Sequence, residues 1–285
     1  LNDPTQGFGY TTLMTNNGKM VNRGVEITLS GEIIRQKDFS WNASLLYAFN
    51  RNKVKHISVQ PSLWDSRISM PTSYPMVGKP LYGIYAYKWA GLNENGDPQV
   101  YDAENNVTSG PARDYHALVY CGTTVPIHNA SLTNVLRYKG FEFSAMLILD
   151  AGHKLRSSNI PSINMSNGRI TSTAKGIVDR WTQPGDVTDV PRLLFSNDTE
   201  NFNTHRTELY RYSDLFVYDA SNIRLSNISL AYRVPAHWCK KISLSGARLQ
   251  FNVENVATFA FDSKANYDLG GKVKPNYVWG LYLNF

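Results

Sequence analysis

Phe39-Ser40-Trp41-Asn42-Ala43-Ser44-Leu45-Leu46-Tyr47-Ala48-Phe49 decides how this sequence folds. Its odd positions, Phe39, Trp41, Ala43, Leu45, Tyr47 and Phe49, are all apolar. Its even positions, Ser40, Asn42, Ser44, Leu46 and Ala48, are mostly small or polar. Successive side chains of an extended strand point to opposite faces, so this period of two predicts a strand with one greasy and one polar face. The preceding segment repeats it: Val25, Ile27, Leu29 and Ile33 alternate with Glu26, Thr28, Ser30 and Glu32. Only Arg35-Gln36-Lys37-Asp38 separates the two, which predicts a hairpin with a short polar turn.

The pattern recurs along the chain, and helical periodicity is nearly absent. Phe141, Phe143, Ala145, Leu147 and Leu149 alternate with polar and mixed neighbours, after a weaker strand over 127–138 and a turn at Lys139-Gly140. Ile228, Leu230, Tyr232 and Val234 form another apolar row, as do Ala247, Leu249, Phe251 and Val253. Upstream of Ser226 the apolar parity switches to Ile223 and Leu225, which predicts a β-bulge. Tyr277, Trp279, Leu281, Leu283 and Phe285 end the chain on the same rhythm.

A soluble sandwich also alternates. Three features point instead to an all-β transmembrane antiparallel β-barrel. The strands run to about 10 to 13 residues, against the usual five or six, and a tilted strand needs about 9–11 to cross a bilayer. Glu, Arg, Asn and Gln line the face opposite the apolar one, as around an aqueous lumen. The connections alternate: 35–38, 139–140 and 235–244 are short, whereas 53–126, 152–216 and 258–274 are long outer loops. Spanning strands are expected at about 22–34, 39–52, 127–138, 141–152, 217–234, 245–257 and 275–285. Residues 80–90 and 98–102 are a candidate further hairpin. Seven strands leave two open edges, which lipid does not tolerate. The expectation is therefore the C-terminal part of a larger barrel, with residues 1–20 in an outer loop and the C-terminus periplasmic.

Composition agrees. With 42% hydrophobic and 12% aromatic residues, the chain is too apolar to be disordered. A net charge of +6 does not indicate a nucleic-acid partner. The longest apolar run, Ala145 to Leu149, is far short of the ~20 residues of a membrane helix. The chain opens at Leu1-Asn2-Asp3-Pro4 without an initiator Met, as in a mature protein or a piece of a longer one. Cys121 and Cys239 fall at opposite ends of the strands and are expected not to be bonded.

Several blocks, weak singly and specific in their order, resemble one family. These are Asn22-Arg23-Gly24-Val25-Glu26, Asn50-Arg51-Asn52-Lys53-Val54, Gly78 to Tyr85, Trp89-Ala90-Gly91-Leu92 and Gly96-Asp97-Pro98. Tyr138 to Phe141, Arg180-Trp181 with Pro184-Gly185-Asp186, Ala220 to Tyr232, Asn252 to Asn255 and Gly280 to Phe285 complete the series. Together they resemble the C-terminal third of SusC/RagA-type TonB-dependent outer-membrane transporters. Asn222, where the family places an aromatic, and Phe261-Asp262-Ser263-Lys264, which lacks its Asp-Pro-Glu, depart from the pattern.

The resemblance implies a barrel of about 22 strands in the Gram-negative outer membrane. It implies an upstream plug domain and first strands, TonB coupling through that plug, and a SusD-like surface lipoprotein. The activity implied is uptake of glycan or peptide oligomers, with no cofactor. The alternative is a passive porin or a barrel adhesin without TonB. No catalytic motif and no metal-ligand spacing is visible.

Among loop residues, Trp64, Tyr85, Tyr87, Trp89 and Trp181, with Asp102 and Arg180, are candidate substrate contacts, because aromatic faces stack on sugars and polar neighbours orient hydroxyls. Tyr277, Trp279, Leu281, Leu283 and Phe285 resemble the terminal signal by which outer-membrane proteins are recognised for assembly.

Overall fold

The computed structural model describes residues 18–58, 66–110, 114–165, 174–195, 204–270 and 274–285. Its centre is a seven-stranded antiparallel sheet in which every strand pairs with its neighbour in sequence. The strands are β1 (Gly18–Arg35), β2 (Phe39–Ile57), β3 (His128–Tyr138), β4 (Phe141–Ala151), β5 (Asn222–Arg233), β6 (Gly246–Ala260) and β7 (Asn276–Asn284). β1 and β2 outrun expectation at the long-loop end. β1 begins at Gly18, inside the segment expected to be loop, and the first long loop starts at 58 rather than 53. The strand expected over 217–234 is interrupted: Val217–Asp219 pairs with Lys154–Arg156, apart from β5.

The register carries the alternation across the whole sheet. Leu29 stands opposite Leu45, Leu45 opposite Leu132, Leu132 opposite Leu147 and Leu147 opposite Leu225. Farther along, Leu230 faces Phe251, which faces Trp279. Cross-strand partners share a face, so these residues build one continuous apolar surface. Its aromatics meet closely: Phe141–Tyr232 ring centroids lie 4.5 Å apart and Phe251–Trp279 centroids 4.2 Å. Such pairs contribute about 0.5–1.5 kcal/mol beyond area burial.

Two polar residues of β3 lie on the apolar face, and each has a partner. Asn134 accepts a hydrogen bond from the Trp41 indole at 3.1 Å, and His128 Nδ1 lies 2.9 Å from the Tyr47 hydroxyl. Satisfied this way, they carry little of the penalty of an unpaired polar group in an apolar setting.

Register breaks occur where parity fails. The ladders of β5 shift between Leu225 and Asn227, which is the bulge expected at Ser226. Opposite it, Asn255 has φ 53°, a left-handed conformation that Asn tolerates better than most residues. A second bulge, between Glu32 and Ile34, places Ile34 rather than Ile33 opposite Trp41. Sequence reading missed it because both residues are apolar.

The opposite face is polar and cross-linked. Glu142 accepts from Arg137 at 2.7 Å and from Arg248 at 3.1 Å, joining β3, β4 and β6. Asn129 donates to Asp150 at 2.8 Å, and the Ser30 and Ser44 hydroxyls meet at 2.7 Å.

Two clusters of buried apolar residues lie in the long loops and not on the sheet. Tyr85, Tyr87, Val100, Ala117, Leu118 and Leu209 form one cluster, and Ile163, Tyr210 and Phe216 another. The candidate hairpin over 80–90 and 98–102 is present only in its inner part. Gly83–Tyr87 pairs with Leu118–Thr123, while Trp89–Leu92 pairs with Pro98–Tyr101. Both Cys121 and Cys239 are free. Among the described residues no helix is long and apolar enough to cross a membrane.

Candidate functional site

All three long connections leave the same end of the sheet, and they fold together there. The tie between the first and the second is electrostatic. Asp97, in the turn after Leu92, accepts from Arg192 at 2.9 and 3.1 Å and from Arg206 at 3.0 Å. Arg206 lies on the helix Thr204–Arg211 and is almost fully buried. Its remaining donors reach the carbonyls of Ile163 and Arg192 and the Asn164 side chain, at 2.6 to 3.2 Å. Burial pulls its pKa below the ordinary arginine value, and the Asp97 charge opposes the shift. Arg156 is held likewise, donating to the Tyr85 carbonyl at 2.7 Å.

The turn 93–97 is built by Asn93, whose side-chain oxygen accepts from the backbone N–H of Asn95 and Asp97, both at 2.9 Å. Gly96 is required there twice over. Its φ is 74°, and a Cβ would stand 2.4 Å from the Trp181 ring. Trp181 therefore lies flat against bare backbone. Beyond it, Asp186 accepts from the backbone and hydroxyl of Thr182 and from the Gln183 N–H. These bonds hold its carboxyl below the usual range, the Thr182 N–H contributing most.

Between the two turns runs an open groove of about 660 Å³, lined by Leu92, Asn93, Glu94, Asn95, Trp181 and the stretch 184–188. It offers one aromatic face, side-chain amides, the Glu94 carboxylate and an uncovered Val187. Such a surface suits a flexible polar oligomer, with stacking on the ring and hydrogen bonds at its edges.

The sequence candidates separate here. Trp181 lines the groove. Arg180 sits beside it, donating to the Ile177 carbonyl at 3.3 Å. Trp89 is half-buried: its indole donates to Asp189 at 2.9 Å and its ring packs on Tyr210. Asp102 is occupied in its own turn, accepting from the N–H of Glu104 and Asn106. Tyr85 and Tyr87 are buried at 1% and 0% exposure, so they are core and offer no face to a ligand here. Burial raises the Tyr85 hydroxyl pKa. Trp64 lies outside the described residues. Sequence reading missed Glu94 and Val187, whose only signal is their place beside Trp181 in the fold. Of the terminal-strand residues, Tyr277, Trp279, Leu281 and Leu283 lie on β7's apolar face and Phe285 follows it; all five are exposed. Among the described residues no group of three His, Cys, Asp or Glu stands ready to hold a metal.

No family model matches the chain. Comparison with known proteins nonetheless finds relatives along nearly its whole length. TonB-dependent receptor P3 of Formosa agariphila is 24% identical over 294 residues, covering 96% of this chain and 28% of the relative. TonB-dependent receptor SusC of Bacteroides thetaiotaomicron is 22% identical over 263 residues, covering 87% of this chain and 24% of the relative. The chain resembles the SusC/RagA type of TonB-dependent receptor. Its fold agrees. The RagAB peptide transporter superposes with a TM-score of 0.72 at 22% identity, over 97% of this chain and 31% of that one. The RagAB peptide importer in the closed-closed state gives 0.69. The chain thus spans less than a third of the length of these relatives.

Proposed function

We propose that this chain supplies seven strands and the outer loops of a larger outer-membrane barrel that imports nutrient oligomers with TonB-derived energy. The observation that carries this reading is the register-continuous apolar face set against a polar, hydrogen-bonded one. An aqueous globule would bury the apolar face. A barrel turns it to lipid and the polar face to a water-filled interior.

Dimensions support it. β4 has eleven residues. At a rise of ~3.4 Å and a tilt of ~40° such a strand rises about 29 Å, enough to cross the ~25 Å apolar band. The outer edges of β1 and β7 have no partner among the described residues, and lipid demands closure. Further strands of the same protein would close the barrel, as the greater length of the relatives allows. The short turns would then face the periplasm, together with the C-terminal strand end.

In this reading the groove beside Trp181 receives a glycan or peptide oligomer beneath a SusD-like lipoprotein. The role is capture and release, without bond chemistry. Energy would come through a plug domain outside this chain. The test is uptake of candidate oligomers by cells carrying the full-length protein. Uptake should disappear without TonB, and Trp181→Ala should weaken capture several-fold while leaving the barrel folded. Uptake that persists without TonB would instead make the barrel a passive pore.

A further inference from the structure

The third short turn, 234–245, differs from the other two. It is longer and carries a helix, Ala236–Lys240, that folds over its own small core of Cys239 and Leu244. The Leu244 N–H closes onto the Cys239 carbonyl at 3.0 Å. With those two residues inside, Trp238 and Ile242 are left outward, 55% and 68% exposed. Lys240 and Lys241 stand exposed between them, and the turn has no Asp or Glu. Large apolar side chains are rarely left uncovered beside paired lysines in an aqueous turn. The pairing of aromatic, aliphatic and cation is that of a segment lying in a membrane interface.

The surroundings continue the pattern. Val234 is bonded to Ala247, so the turn springs directly from the apolar row of Tyr232 and Leu249. Ser245 holds the Phe285 backbone oxygen at 3.3 Å, which brings another exposed aromatic to the same end. At the second short turn, the Lys139 ammonium lies 5.4 Å from the ring of Tyr138, a residue of the apolar face. The first adds Lys37 against one Asp38. The three turns therefore carry four lysines and one acidic side chain just beyond the aromatic rim.

We infer that the short-turn end binds anionic phospholipid headgroups, with the 234–245 turn as the principal contact. Trp238 and Ile242 enter the interface, and Lys240 and Lys241 hold the lipid phosphate. Two cations held at an anionic headgroup favour an anionic over a zwitterionic lipid by roughly tenfold or more. An acidic protein would satisfy the lysines but leave no reason for the uncovered Trp238 and Ile242.

The inference rests on the barrel reading, and the experiment separates the two. The full-length protein, purified in non-ionic detergent, is mixed with equal phosphatidylglycerol and phosphatidylcholine of identical chains, and retained lipid is counted by native mass spectrometry. Wild type should keep phosphatidylglycerol preferentially. K240Q/K241Q should bring the ratio near one, K240R/K241R should preserve it, and Trp238→Ala should lower retention of both lipids. Equal retention by wild type, or an unchanged ratio in K240Q/K241Q, overturns the inference. Should the double variant fail to fold, K241Q alone and Ile242→Asn decide in the same assay. Heat-modifiable gel migration reports barrel closure independently. A protein that needs no detergent would defeat the barrel reading itself.

Discussion

Arg206 shows what one residue does at the long-loop end. Its guanidinium is bound on every side, and its charge is balanced by Asp97, which Arg192 also holds. Removing it leaves Asp97 with one arginine partner and takes a donor from three further acceptors, a change that costs about 3–5 kcal/mol when such a pair is buried. Arg206→Leu should therefore loosen the long loops without melting the sheet. Hydrogen exchange would show faster exchange in 160–165 and 174–195 and unchanged protection in β3 and β4; uniform loss across both would contradict this. Cys121 makes a second case. Burial, with a smaller push from Asp214, raises its thiol pKa to about 11. A thiol is nucleophilic only as thiolate, so at pH 7 about one in ten thousand is reactive. Alkylation of Cys121 should be slow at pH 7 and rise about tenfold per pH unit up to about 11; fast labelling at pH 7 would show a different environment. These residues also mark where sequence reading stops. Asp97 and Arg206 lie 109 positions apart. Tyr85 and Tyr87 read as ligand-facing aromatics, yet their neighbours come from distant segments that bury them.

At the scale of the element, strands were legible because their chemistry is local. A period of two over eleven residues needs no tertiary information, and five of the seven expected spans match the strands to within about four residues, whereas 39–52 runs on to Ile57 and 217–234 begins only at Asn222. The Ser226 bulge was legible for the same reason, since apolar residues change parity across it. The bulge at Ile33 was not, because two adjacent isoleucines hide the switch. The loops were illegible in detail: their order comes from carboxylate turns, long-range arginines and two small cores. The strand faces make a sharp prediction. Leu147 and Ile148 are adjacent at mid-strand and face opposite ways. Leu147→Arg should cost about 2–4 kcal/mol in a lipid-facing position, whereas Ile148→Arg, facing water, should cost far less. Urea titration of the full-length protein in lipid vesicles would give both values, and equal costs would contradict the assignment of faces.

For the whole molecule, the unusual property is where apolar area lies. The long-loop assembly buries Tyr85, Tyr87, Leu118, Leu209 and Tyr210, while the sheet leaves Leu29, Leu249, Trp279 and Leu281 at least half exposed. A soluble fold has the reverse arrangement, and exposed apolar patches beyond a few hundred Å² mark a binding surface. Lipid on one face and water on the other make every element consistent. The polar face keeps its hydrogen-bond ladder, the apolar face its satisfied Asn134 and His128, and the groove beside Trp181 lies among the long connections. The most direct measurement is a spin-label scan along β4 of the full-length protein in lipid bilayers, one label per variant, with Cys121 and Cys239 replaced by Ser. Labels at 143, 145, 147 and 149 should collide with oxygen dissolved in the bilayer, and those at 144, 146 and 148 with a water-soluble nickel complex. Alternation of that phase supports the account. Labels at the odd positions that reach neither reagent, or that reach only the nickel complex, would contradict it.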